Sequence, residues 1–324
     1  ILDKTLICYD YKTLAKEHGI SVDKFFDTMI AAHLVRDSAP IKSIEACLGA
    51  DGYEIGSAEL FDQSKKLEKA LVEKGVDKLF YEVEQPLAVV LKNMEERGFA
   101  VDSNELQRLN EKYTSLVDDL VSRIHQMVEF EFNVASPKQL GEVLFERLGL
   151  KHGKKTKTGY ATDAETLNSL RAYHEIIEDI LDFRQYGKLK STYADGLANA
   201  ADENGKVHTS FRQALTTTGR LSSTEPNLQN IPVKTELGRE FRKFFVAGGE
   251  DYVLLDADYS QIELRLLAAI SGDEAMTEAF LSGYDIHSAT AMKIFGVSAD
   301  EVTIDLRKRA KAVNFGIVYG MGDF

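Results

Sequence analysis

Two groups of residues have the types and spacing to do chemistry. The first is Asp256-Ala257-Asp258, which ends the short apolar run Tyr252-Val253-Leu254-Leu255. Hard divalent cations take carboxylate oxygens as ligands, and a ligand at the end of a buried strand is held rigidly. The plain structural alternative is that Asp258 caps the helical pattern that resumes at Gln261. The second group is Arg307, Lys311, Phe315 and Tyr319, each four residues after the last. In a helix each such step turns the direction by about 40°, so all four share one slowly turning stripe. Arg and Lys on that stripe can hold a chain of phosphates. An ordinary amphipathic helix would bury the two rings and leave the basic residues in water.

Two further residues carry double readings. Glu263 completes a Ser260-x-x-Glu263 capping box, a purely structural device. His287, in Asp285-Ile286-His287, stands alone, and a lone histidine is more often structural than catalytic.

The elements that must position these residues are legible in part. Leu6-Ile7-Cys8-Tyr9 is a short apolar run, after which Asp10 can cap a helix that Gly19 ends, and a second helix fits Val22 to Val35. From residue 84 the pattern is helical. Asp102 with Glu105 resembles a capping box, and Leu106, Leu109, Tyr113, Leu116, Val117, Leu120, Val121 and Ile124 recur at helical spacing. This predicts one long amphipathic helix packed against a partner such as 86–96, with further helices over 137–147, 163–174 and 175–188. The texture changes near residue 201. Asn204-Gly205 is a hairpin turn signal, Val207 to Thr217 alternates as a strand does, and Tyr252–Leu255 reads as another strand. Helical periodicity returns at Gln261 and from Leu306 onward.

Composition bounds the class. The chain has 324 residues, 44% of them apolar, and only five prolines, which supports two or three folded domains. Cys8 and Cys47 sit at no metal-binding spacing and suit a reduced, cytosolic setting, with both packing in cores. Ile1-Leu2-Asp3-Lys4 carries no signal-peptide pattern, and no apolar run approaches the ~18 residues of a membrane span. The net charge of −13 is awkward for a nucleic-acid binder. Three basic islands stand against it: residues 151–162, with four lysines and no acid; residues 206–243, with seven Lys or Arg against three Glu; and Arg307-Lys308-Arg309-Ala310-Lys311. They could line one basic cleft in a protein whose acidic outside repels DNA elsewhere, or simply be solvated helix faces.

Three segments then narrow the reading sharply. They are Thr218-Gly219-Arg220-Leu221-Ser222-Ser223-Thr224-Glu225-Pro226-Asn227-Leu228-Gln229-Asn230-Ile231-Pro232, then Asp258-Tyr259-Ser260-Gln261-Ile262-Glu263-Leu264-Arg265, then Arg307-Lys308-Arg309-Ala310-Lys311-Ala312-Val313-Asn314-Phe315-Gly316-Ile317-Val318-Tyr319-Gly320. They resemble the primer-binding stretch, motif A and motif B of family A DNA polymerases, the bacterial DNA polymerase I type, in that order and at fitting distances.

The resemblance implies a mixed α+β right-hand polymerase: a partial 3′–5′ exonuclease-like α/β remnant over 1–83, a helical thumb over 84–200, the first part of the palm over 201–265 and the start of the fingers over 266–324. It implies a DNA-templated DNA polymerase that uses Mg²⁺ at a two-metal site, acting as a monomer on primer-template DNA and deoxynucleoside triphosphates, cytoplasmic and nucleoid-associated, with no membrane. Asp258 and the carbonyl of Tyr259 would bind metal. Glu263 would crowd the sugar 2′ position and reject ribonucleotides. Gln261, His287, Arg307, Lys311, Phe315 and Tyr319 would hold the incoming nucleotide, with Asp258, Lys311 and Arg307 central to catalysis. His208, Arg220, Asn227, Gln229 and Lys234 would track the duplex minor groove, whose acceptors are nearly alike for all base pairs, so they sense pairing without reading sequence. Lys234 stands where relatives often carry Arg, which weakens a bidentate contact. Lys155 and Lys157, and Lys188 and Lys190, would touch the phosphate backbone, which positions but does not specify.

The family's later His-Asp-Glu motif, with the second metal-binding Asp, does not occur before Phe324. The expectation is a fragment inactive alone, with a non-catalytic duplex-DNA-binding role as the alternative. A single-subunit RNA polymerase is disfavoured by Glu263 and the primer-binding stretch. Proofreading is expected to be absent, since no Tyr-x-x-x-Asp pair occurs in the first 85 residues and Asp10 serves better as a helix cap.

Overall fold

In the computed structural model, which describes residues 4–48, 56–151, 155–156, 159–231, 236–283 and 285–320, the first helix runs Tyr11–His18 between Asp10 and Gly19. Asp10 accepts a bond from the Thr13 amide, and Gly19 takes the left-handed conformation that releases the chain. The second helix starts later than its pattern suggests. Phe25–Asp27 is a strand paired in parallel with Leu6–Cys8, so the helix occupies only Thr28–Val35. Asp27 ends that strand fully buried and accepts bonds from the amides of Tyr11, Met29 and Ile30, serving the starts of both helices. Burial pushes its carboxyl up to about 6 against those three donors. Both cysteines are buried in the core of this region.

A second buried carboxylate joins distant elements. Glu95, on the helix Gln85–Arg97, is bonded by Lys12 and, at 2.8 Å, by Lys16, both from Tyr11–His18. It also accepts the backbone amide of Phe211 at 2.7 Å. Burial opposes its charge, but the two ammonium groups and the amide hold it below the usual carboxylate range.

The long helix spans Ser103–Val128, capped by Asp102, whose side chain accepts from the amides of Asn104 and Glu105. Glu105 does not reach back to close a capping box; it pairs with Arg108. The helix buries Leu106, Leu109, Tyr113, Leu120 and Ile124, the heptad-like face that its periodicity requires. Its main partner is Ile176–Leu189 rather than 86–96. The face splits between two cores. Leu106, Leu109 and Tyr113 pack with Phe241 and Phe244, and Ile124 packs with Leu140, Leu144 and Ile177. Each fully buried aromatic or aliphatic side chain contributes roughly 1.5–3 kcal/mol. The helices expected over 137–147 and 163–174 appear as Pro137–Gly141 running on to Arg147, and Ala164–Leu170.

The sheets are small. The turn at Asn204-Gly205 forms around Asp202, whose carboxylate accepts from the amides of Asn204 and Lys206. The single strand expected from Val207 to Thr217 is two. Lys206–Val207 pairs with Phe99–Ala100, and Ser210–Arg212 pairs with Ser222–Thr224. A fourth pair joins Lys155–Thr156 to Gly159–Tyr160. The result is a mixed, mainly helical chain with a few two-stranded sheets.

These elements belong to one compact unit, Ile1–Leu254, and a second is Leu255–Phe324. The strand expected at Tyr252–Leu255 is not formed. The segment is irregular, with Val253 87% and Leu255 89% exposed. A strand persists only when a neighbour takes its backbone bonds, and the described residues provide none here. Among its described residues the second unit carries helices Ile262–Ser271, Glu274–Leu281, Ile286–Phe295 and Ile304–Val318, with a 3₁₀ turn at Ala299–Glu301.

Candidate nucleotide and DNA site

In the second unit the stripe of the last helix is realised as geometry. Thr303 caps Ile304–Val318 through the Leu306 amide. Phe315 and Tyr319 stack with centroids 6.3 Å apart at 18°, and Lys311 Nζ lies 5.8 Å from the Phe315 ring centre. Arg307, one turn earlier, is held by a two-point ion pair: Nε to Asp285 at 2.7 Å and Nη2 at 3.0 Å. Asp285 also caps Ile286–Phe295 through the Ser288 amide, so one carboxylate fastens two helices together. Burial works against its charge, yet the bonds from Arg307 and Ser288 hold it well below the usual carboxylate range.

His287 follows directly and is buried. Its ring lies 6.0 Å from Phe315, and its Nδ1 is 3.0 Å from Asn314 Nδ2. Desolvation lowers its pKa from the ordinary value, with Arg307 and Lys311 adding to that and Asp285 opposing it.

Motif A behaves differently from its capping-box reading. Ser260 does not cap the helix Ile262–Ser271. Gln261 stands at the cap position with φ 53° and makes no side-chain cap bond, and its buried side-chain oxygen has no partner among the described residues. Glu263 instead accepts the Tyr319 hydroxyl at 2.9 Å, joining the start of motif A to the end of motif B. Asp258 and Tyr259 lie on the exposed, irregular stretch before that helix, not at the end of a buried strand.

A divalent cation needs several oxygens. Among the described residues no group of three His, Cys, Asp or Glu could hold one. Asp258 and the Tyr259 carbonyl are thus at most part of a donor set, and these residues do not by themselves fit a two-metal site.

In the first unit, the stretch 218–231 folds back on Ser210–Arg212. Gln229 accepts the Ser223 amide at 3.1 Å and donates to the Leu221 carbonyl at 3.0 Å, and Asn227 accepts the Gln229 amide. The side chain of Gln229 therefore shapes this loop, while Asn227 and Arg220 are exposed. His208 is engaged on both ring nitrogens, Nδ1 with the Glu95 carbonyl at 2.7 Å and Nε2 with Asp202 at 3.3 Å. Lys190 pairs with Asp195 at 2.8 Å, and Lys188 is exposed. Lys155 is on a short strand whose side chains are not described, and Lys157 and Lys234 lie outside the described residues.

The profile of DNA polymerase family A matches residues 103–324, more than half of the sequence. The chain belongs to DNA polymerase family A. DNA polymerase I of Geobacillus stearothermophilus is 49% identical over 296 residues, covering 91% of this chain and 32% of that protein. DNA polymerase I of Bacillus subtilis is 45% identical over 316 residues, covering 97% and 35%. Among solved structures, the POL domain of Pol1 from M. smegmatis, in complex with DNA primer-template and dNTP, superposes with a TM-score of 0.79 at 38% identity, covering 91% of this chain and 54% of that one. The chain spans about a third of the length of these polymerase I relatives. Among its described residues no helix is long and apolar enough to cross a membrane.

Asp285 and Asn314 are the site residues that sequence reasoning missed. Asp285 had only a local signal, a helix cap ahead of Ser288. Asn314 had one usable hint, since it is a poor helix former in the middle of a helix.

Proposed function

We propose that this segment is the part of a template-directed DNA polymerase that receives the incoming deoxynucleotide and the primer-template duplex, in a bacterial cytoplasmic setting. The division into an exonuclease-like remnant over 1–83, thumb over 84–200, palm over 201–265 and fingers over 266–324 belongs to this reading. The observation that carries it is the Glu263–Tyr319 bond, which brings a carboxylate suited to crowding a sugar 2′ position beside the stacked Phe315 and Tyr319. Lys311 and Arg307, farther back on the helix, suit a triphosphate. Arg307 already has its fork filled by Asp285, so Lys311 is the more available cation.

Divalent metal, Mg²⁺ in this reading, would take Asp258 and the Tyr259 carbonyl as part of its shell. Waters and phosphate oxygens of the nucleotide would fill the rest of the shell, together with any further carboxylate outside the described residues. By themselves the 324 residues would hold duplex DNA as a monomer without extending a primer. Arg220 and Asn227 would face the minor groove, with His208 and Gln229 shaping the loop around them. Lys234 would belong with the minor-groove group, and Lys155, Lys157, Lys188 and Lys190 would meet phosphates.

The test is fluorescence anisotropy with two unrelated primer-template duplexes across a salt series. Phosphate contacts release counterions, so log affinity should fall against log salt with a slope of about −0.9 per phosphate neutralised. Equal affinity for both sequences and a steep salt dependence are expected. A tenfold sequence preference, or indifference to salt, overturns the reading.

A further inference from the structure

We propose that His208 is a positioning residue that works as an imidazolium, with a proton on each ring nitrogen. In that form it ties the end of the helix Gln85–Arg97 to the turn at Asp202 and so sets the loop 218–231 for a DNA duplex. The DNA role rests on the reading of that loop given above.

Both partners of the ring are acceptors. Nδ1 lies 2.7 Å from the Glu95 carbonyl, and Nε2 lies 3.3 Å from a carboxylate oxygen of Asp202. Neither partner has a proton to give once Asp202 is ionised. A neutral imidazole has one N–H and would leave a lone pair facing one of them. The imidazolium donates to both.

The surroundings favour that charge. Glu95 lies in the last turn of its helix, where carbonyls have no further helical amide to meet. The negative end of the helix dipole is there, and it stabilises a histidine cation. Asp202 is ionised: the Lys206 amide, and after it the bond from His208, hold its carboxyl down to about 2 against desolvation. The other charged side chains on the elements around the ring are engaged elsewhere or turned to water. The Glu95 carboxylate is taken by Lys12, Lys16 and the Phe211 amide, and Glu96 pairs with Lys92. Arg97 and Glu203 are exposed, and Lys206 is half-buried. Among the described residues Asp202 is the charge in contact with the ring. The ring is also fixed in place by packing on Gly98, where a Cβ would stand 2.7 Å from its Cε1 and 2.9 Å from its Nδ1.

His208 stands at a joint. The strand before it, Lys206–Val207, pairs with Phe99–Ala100, and the strand after it, Ser210–Arg212, pairs with Ser222–Thr224. The next residue, Thr209, brings its hydroxyl 2.6 Å from that of Ser223, 3.1 Å from the Thr224 carbonyl and 2.8 Å from the Pro226 carbonyl. Release of the ring therefore loosens the base of the loop that carries Asn227.

The experiment pairs long-range ¹H–¹⁵N NMR of the histidine side chains with duplex anisotropy, both on the 324-residue chain, with His208 assigned by its loss in His208→Gln. At about pH 7.5, where an ordinary imidazole is largely neutral, His208 should still show two protonated nitrogens. Asp202→Asn keeps an oxygen for the turn amides but turns a donor toward Nε2, so His208 should become neutral with its proton on Nδ1. A singly protonated wild-type ring at that pH, or an imidazolium that survives in folded Asp202→Asn, overturns the protonation state. Duplex affinity is then followed upward in pH at constant salt. In wild type it should fall about tenfold, the size of one charge-assisted contact, in step with loss of the imidazolium signals. In Asp202→Asn and His208→Gln it should start at the weak level and lose that step. The other histidine signals report whether each variant is folded, and the wild-type titration needs no variant. If His208 touched DNA itself, removing the neighbouring negative charge in Asp202→Asn would tighten binding, and that result overturns the positioning role. Binding that ignores loss of the proton overturns it too, leaving the duplex reading intact. Absence of duplex binding at every pH overturns the duplex reading and the positioning role together.

Discussion

Glu95 and Asp285 do the same job in opposite surroundings. Each is a carboxylate that ties helices far apart in sequence through basic partners. Glu95 is almost wholly buried, its side chain 1% exposed, with Lys12 nearly as deep at 9%. Asp285 and Arg307 are 32% and 42% exposed. Burial makes the first junction expensive to break, because a partner left alone is a charge without water. Partial exposure makes the second exchangeable, since water can replace either partner and an incoming anion can replace Asp285 on Arg307 at modest cost. The first unit thus uses charge to hold its parts in place, and the second keeps charge where a ligand could reach it.

The sharpest test of that contrast is Asp258→Ala, made in a chimera in which residues 1–324 replace the matching part of the Geobacillus stearothermophilus relative. Primer extension should fall by on the order of a thousandfold or more, as loss of a metal ligand removes several kcal/mol of charge stabilisation. Duplex affinity by anisotropy should stay within a few-fold, and the melting temperature should be unmoved because the residue is exposed. Equal losses of rate and DNA binding would make Asp258 structural.

Next in size is Glu95→Gln in the 324-residue chain. It leaves Lys12 buried without its counter-charge and should lower unfolding free energy by about 3 kcal/mol in urea titrations. Salt dependence of duplex binding should not change. The pH profile gives a second reading of the same residue. A carboxyl held below its ordinary value stabilises the fold above its unfolded pKa, about 4.3, and loses that contribution as pH falls through the lower, folded value. Wild type should therefore weaken on acidification through this range more steeply than Glu95→Gln. Parallel profiles would assign the acid limb to other groups.

How much of this was legible beforehand depends on distance along the chain. Asp10, Asp102 and Gly19 act within a turn of where they stand, and so do the periodic Leu106, Leu109 and Tyr113. Local signals suffice for them. The strand at Tyr252–Leu255 was misread because strand propensity says nothing about whether a partner exists. Glu95 reaches across 83 residues to Lys12 and 116 to Phe211, and nothing in its neighbourhood marks it. At the site, a spacing of four was enough to put Arg307, Lys311, Phe315 and Tyr319 on one stripe, but not to show that the two rings stack on each other. The capping-box reading of Glu263 failed because the helix starts with Gln261 rather than Ser260 at its cap position, and Glu263 accepts the hydroxyl of Tyr319, 56 residues on.

Two smaller effects probe the exchangeable side. Lys311→Ala in the chimera should weaken deoxynucleotide use about tenfold, the size of one charge-assisted contact, with stability within about 0.5 kcal/mol of wild type. A dominant loss of duplex affinity would mean that the stripe faces DNA rather than nucleotide. Tyr319→Phe should be milder still. It releases Glu263 from its bond, and ribonucleotide discrimination in single-turnover incorporation should change by a few-fold, whereas Glu263→Ala should erode it more. If neither variant alters sugar choice, the Glu263–Tyr319 bond is only a strut between two helices.

The Glu95 junction also bears on how such a protein can change over generations. Its lysines come from the first helix, its carboxylate from the helix after Gln85, and its last donor from the strand that pairs with Ser222–Thr224. A lineage that no longer needed any activity from the first eighty residues could not discard them cheaply. Their deletion would leave an uncompensated anion one strand away from the stretch that resembles the primer-binding region. A module can thus outlive its own chemistry by becoming the counter-ion of its neighbour.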